Sequence, residues 1–155
     1  MIYEIANAMT NAEIAFMIAA CEASDAQENG SLLIGSVDPI LAALSQKGLT
    51  EKQVWQCEVS LERSGYIEIP GYDRNDVDPA WSRAEVFDIS RIGLRWWLIR
   101  KYGQAAYSKM VSDVRRTRDE CLRNNVMLVA DWAERLGLPL LLVQKILHAE
   151  RYDLG

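Results

Sequence analysis

Apolar residues recur along this chain at two spacings, every three or four positions in some stretches and nearly unbroken in short runs in others, and their order predicts most of its elements. Ile14, Met17, Ile18 and Cys21 fall at helical spacing. They follow Thr10-Asn-Ala-Glu13, a capping box in which the threonine accepts from the third helical amide and the glutamate reaches back. This first helix ends in the polar run Ser24 to Gly30. Ser31 to Gly35 is a short apolar run that predicts a small strand, and Asp38-Pro39 sets a capping aspartate before a proline at the first helical position. The second helix runs to Lys47-Gly48. Another capping box, Thr50-Glu-Lys-Gln53, opens a third helix on which Val54, Cys57 or Glu58, and Leu61 line one face, with Gly65 at the C-terminal cap. Tyr66 to Ile69 then reads as a strand, Pro70 to Arg83 as a loop dense in Pro, Gly, Asp and Asn, and Ala84 to Ile89 as a returning strand.

Beyond Ser90 the pattern is helical throughout. Ser90 is placed to cap a helix that directs Ile92, Trp96, Ile99 and Tyr102 toward a core and leaves Arg91, Arg95, Arg100 and Lys101 near solvent. The tandem Trp96-Trp97 cannot both face inward, so one covers a neighbouring helix or a second subunit. Ala105 to Asn124 predicts a further helix with Met110, Val114 and Cys121 near one stripe and Arg115, Arg116, Arg118 and Arg123 outside it. Asp113, Asp119 and Glu120 lie within pairing distance of those arginines, as on an ordinary solvated face. Last, Ala133, Gly137, Val143 and Ile146 have the spacing of a helix-turn-helix over about residues 129–148: a small residue where helices cross, glycine at the turn, two apolar anchors in the second helix.

The order from Ser31 to Gly93 is strand, helix, helix, strand, long hairpin, strand. The predicted fold is therefore mainly α with a small antiparallel β-sheet, a winged helix over residues 1–93 followed by a helical extension over 94–155. Leu49-Thr-Glu-Lys-Gln-Val54, Leu61-Glu-Arg-Ser-Gly-Tyr66-Ile67, Asp73-Arg74 and Ile89-Ser-Arg-Ile-Gly93 resemble MarR-type winged-helix regulators. The resemblance covers residues 31–93 and implies a DNA-binding transcriptional regulator, usually dimeric. Its recognition helix would enter the major groove and an arginine at the wing tip would reach the minor groove. Carried onto this chain, it assigns Lys52, Gln53, Gln56 and Arg63 to the groove and Arg74 and Arg83 to the wing.

Charge changes that picture. Of 155 residues half are apolar and a quarter charged, an ordinary globular composition with a formal net charge of −5. Residues 1–90 hold fifteen acidic and five basic side chains and residues 91–155 seven and twelve, so the two parts carry −10 and +5. Asp73, Asp76 and Asp78 surround Arg74, and Glu51, Glu58 and Glu62 outnumber Lys52 and Arg63 on the recognition helix. Phosphates repel such surfaces. A protein-binding winged helix is accordingly the alternative expectation, an adaptor or inhibitor whose acidic surface meets a basic protein partner. Leu140, Leu141, Gln144 and Lys145 would form its second contact, because two leucines at the exposed start of the last helix suit protein better than a groove.

Catalytic chemistry finds little support. His148 is the single histidine, no nucleophile and base can be assembled around it, and there is no glycine-rich phosphate loop. Asp73, Asp76 and Asp78 begin like a calcium loop, but Asp78 and Ala84 stand where glycine and glutamate are required. No enzyme activity, cofactor or metal is expected. Three widely spaced cysteines, Cys21, Cys57 and Cys121, suit a reducing compartment. No apolar run is long enough to span a bilayer and Met-Ile-Tyr-Glu does not open a secretory signal, which together predict a cytoplasmic protein, in line with the homodimer the resemblance implies.

Overall fold

The computed structural model describes residues 8–70 and 84–151. It divides into two compact units, Met1–Gly93 and Leu94–Gly155. The first is a winged helix: α1 (Asn11–Asp25), β1 (Leu33–Ile34), α2 (Asp38–Gln46), α3 (Glu51–Arg63), β2 (Ile67–Glu68) and β3 (Phe87–Ile89). The predicted hairpin loop falls almost wholly outside the described residues. The three strands among the described residues are antiparallel in the order β1-β3-β2, with Ile34 opposite Phe87 and Ile67 opposite Ile89. Period-two alternation sends these four apolar side chains inward, where they are buried with Phe16, Met17, Ile40 and Leu61.

Local signals fix the helix ends. In both capping boxes the bonds are reciprocal: Glu13 N–H to Thr10 Oγ1 (3.1 Å) with Thr10 N–H to Glu13 Oε1 (2.9 Å), and Gln53 N–H to Thr50 Oγ1 (3.2 Å) with Thr50 N–H to Gln53 Oε1 (2.8 Å). Gly65, at φ +84°, closes α3 in a Schellman motif, the Tyr66 amide bonding the Leu61 carbonyl at 2.9 Å. Two expectations shift. The strands are shorter than the apolar runs that announced them, and α2 begins at Asp38 itself, with Val37 at the N-cap and no side-chain cap. The polar capping bond there comes one step earlier, from the Asp38 amide to Ser36 Oγ at 3.2 Å.

Two predicted faces are rotated. On α1 the buried stripe is Phe16, Met17, Ala20 and Cys21, while Ile14 and Ile18 are half-buried. After Ser90, whose Oγ accepts the Gly93 amide at 3.1 Å as an N-cap, α4 (Arg91–Tyr102) buries Gly93, Leu94 and Leu98. Ile92 and Tyr102 are exposed and Trp96 and Ile99 half-buried. Gly93 lies against the Tyr66 backbone, a close approach open only to a residue without a Cβ.

The second unit takes in the rest of α4, α5 (Gln104–Arg123), α6 (Val129–Leu136) and α7 (Leu140–Ala149). Here α5 packs on both α6 and α7, and Tyr107, Val114, Cys121, Trp132, Val143 and Ile146 are buried. Glu150 ties the helices together, its Oε2 accepting from the Tyr107 hydroxyl at 2.6 Å and from Arg95 Nε at 3.1 Å. Burial, then the bond to Glu150, hold the Tyr107 phenol neutral far above its ordinary range. Tyr107→Phe is expected to cost about 1–2 kcal/mol in chemical denaturation. A variant as stable as the parent would show that Arg95 alone holds Glu150.

Candidate nucleic-acid interface

α3 packs on α1 and α2, and two buried carboxylates set its orientation. Glu13 of α1, already bonded to the Thr10 amide through Oε1, accepts the Ser60 hydroxyl through Oε2 at 2.8 Å. Glu58 is fully buried, and its Oε1 accepts the Ala84 amide at 2.8 Å, where the chain returns toward β3. Its Oε2 has no hydrogen-bond partner among the described residues, and neither has the buried Trp55 Nε1. Burial therefore pushes the Glu58 carboxyl up to about 8, against the Ala84 bond that favours the charged form and with the help of nearby Glu85. Burial and the charge of Glu13 likewise push the Cys57 thiol up to about 11, which leaves it an inert core residue.

This corrects the charge expected of the recognition helix. Glu58 and Glu62 are buried side chains, not surface charges. At about 100° per residue, Lys52, Gln56 and Arg63 fall within an arc of about 40°, whereas Glu51, Glu58 and Glu62 lie about 80–120° from Lys52. All three stripe residues are exposed. They span roughly 16 Å along the axis at ~1.5 Å per residue, and their formal charge is positive. Gln53 is exposed nearby but commits its carboxamide oxygen to the Thr50 cap, leaving only its nitrogen for a ligand. Arg74 and Arg83, expected in the wing, and the Asp73, Asp76 and Asp78 run lie outside the described residues.

Acidity persists on the sheet. Glu68 pairs in register with Asp88 and Glu85 is exposed close by, so like charges gather on its outward face. A groove of about 340 Å³ between α1 and α2 is walled mainly by apolar side chains, among them Ala15, Ile18, Ala19 and Pro39, with Glu22 and Lys47 also in its lining. Among the described residues no three His, Cys, Asp or Glu side chains are placed to hold a metal ion, and no helix is long and apolar enough to cross a membrane. In the second unit Leu140, Leu141 and Gln144 are exposed on α7 and Lys145 is half-buried.

Sequence reasoning missed Glu58 as a clamp between α3 and the returning strand. The signal was its position, three before Leu61 and four after Val54, on the apolar face. No family model matches the chain, and neither does any curated protein or solved structure.

Proposed function

We propose that this chain is a DNA-binding transcriptional regulator of winged-helix type, similar to MarR-type regulators, acting in the cytoplasm as a homodimer and by binding rather than catalysis. The observation that carries this is the exposed stripe of α3. Lys52 and Arg63 stand at its ends and Gln56 between them, while two of the three carboxylates of α3, Glu58 and Glu62, are buried and Glu51 is exposed about 100° away from Lys52. Lys52 neutralises phosphate, while the Gln56 carboxamide, with one donor and one acceptor, matches adenine and the Arg63 guanidinium, with paired donors, matches guanine in the major groove. Gln56→Ala and Arg63→Ala are each expected to weaken binding to a selected duplex by about tenfold or more, and Lys52→Ala to lower the salt slope by about one. Unchanged affinity in all three, from folded variants, would remove α3 from the interface.

The alternative is a protein-binding adaptor or inhibitor. It is favoured by the carboxylates Glu68, Glu85 and Asp88 beside β2 and β3, which suit a basic protein partner, with Leu140 and Leu141 as its apolar anchor. In that case neutral replacement of the acidic positions slows association with the basic partner, and the α3 variants change nothing.

A further inference from the structure

We propose that α7 is a second duplex-reading element, selective for A·T pairs, so that the chain contacts DNA with two heads. This rests on the chain being a duplex binder. The α6–α7 pair has the stereochemistry of a helix-turn-helix as well as its spacing. Ala133 is buried where the helices cross. Gly137 adopts the left-handed conformation at φ +67°, with its amide on the Glu134 carbonyl (3.1 Å) and the Leu138 amide on that of Ala133 (3.2 Å). Val143 and Ile146 are fully buried, which turns the opposite side of α7 outward.

That outward side carries groups a groove can take, a use of the two leucines opposite to the protein contact expected of them. α7 contains no acidic residue in a chain of formal charge −5, and Lys145 is its one full cation. Residues 91–155 carry twelve basic and seven acidic side chains; Arg123 is exposed on α5 and Arg135 on α6, where Asp131 and Glu134 are exposed too, and Arg116 pairs with Asp113 at 3.0 Å. Pro139 at the N-cap gives the first amides of α7 no side-chain acceptor, so they remain open to phosphate. Leu140 and Leu141, 39% and 41% exposed, stand at the helix start, the part of a recognition helix that meets base edges. Apolar side chains there cover the thymine C5-methyl, and Gln144, exposed one turn on, matches the donor and acceptor of adenine.

The test uses the full chain and a duplex selected from a random pool. Replacing thymine by uracil, which removes only the methyl group, is expected to weaken binding about threefold for the parent and not for Leu140→Ala,Leu141→Ala. Leu141→Asp, which places a carboxylate on the outward face, is expected to cost at least about tenfold with the circular dichroism unchanged. If Arg63→Ala weakens binding while Leu141→Asp, Gln144→Ala and the uracil duplex do not, the second head is wrong and the winged-helix interface stands. If the α7 variants weaken binding and the α3 variants do not, the opposite holds. Loss of self-association in Leu141→Asp with duplex binding intact would make α7 a contact between copies and overturn the proposal, and no duplex binding by the folded parent would overturn both heads.

Discussion

Gly93→Ala is expected to destabilise the winged helix by about 3 kcal/mol, the upper range for forcing a methyl group into a packed site. The added carbon would run into the Tyr66 carbonyl oxygen, with Met17 Cε at 3.1 Å and Ile89 Cγ2 at 3.2 Å behind it. A side-chain tip can move aside, but this oxygen is backbone and is pinned twice. It accepts the Ser90 amide at 3.1 Å, and its own residue's amide bonds the Leu61 carbonyl at 2.9 Å. Relief therefore requires moving the cap of α3 or the start of α4. Gly35→Ala is the control, since nothing lies within 4 Å of its added carbon, and is expected to change stability by less than about 0.5 kcal/mol. Equal denaturation midpoints for the two variants would contradict the packing described.

Glu58→Gln is expected to make the protein more stable in mild alkali and to remove most of its pH dependence between about pH 5 and 8. The folded carboxyl titrates at about 8 and the ordinary one at 4.5. Over that interval the folded state holds a proton that the unfolded chain has released, so stability is fully present below the ordinary value and falls as pH rises. At ~1.4 kcal/mol per pH unit the loss is on the order of 5 kcal/mol above pH 8. Glutamine keeps an oxygen for the Ala84 amide and never ionises. Denaturation across pH should give a falling curve for the parent, a flat one for the variant and a crossing in favour of the variant above about pH 7. Parallel curves would mean that Glu58 is not the titrating group. The same neutrality bears on function, because a protonated Glu58 adds no negative field beside Lys52, Gln56 and Arg63.

What the chain disclosed in advance was mostly local. Capping boxes at Thr10 and Thr50 and the left-handed glycines Gly48, Gly65 and Gly137 depend on neighbours within one turn, and the helix-turn-helix spacing depends on contacts along two short elements. Facing was harder to foresee. Ile92 and Tyr102 looked like core on α4 because they are large and apolar, yet Leu94 and Leu98 are the buried ones. Glu58 and Glu62 were counted as surface charge because ionised carboxylates are seldom buried. The bond that makes Glu58 acceptable comes from Ala84, across the whole loop of the hairpin, and no local pattern announces it. With Glu62 buried as well, the exposed charges of α3 are Glu51, Lys52 and Arg63, a net of +1.

The central claim is tested most directly by binding of the purified chain to a pool of random duplex DNA across a salt series, with its mass in solution recorded alongside. Selective binding that weakens steeply with salt, at a slope of ~0.9 per phosphate neutralised, from a particle of twice the chain's 17.6 kDa, is the expected result. A folded protein that captures no duplex even at the lowest salt would contradict the account and turn attention to a basic protein partner for the acidic sheet.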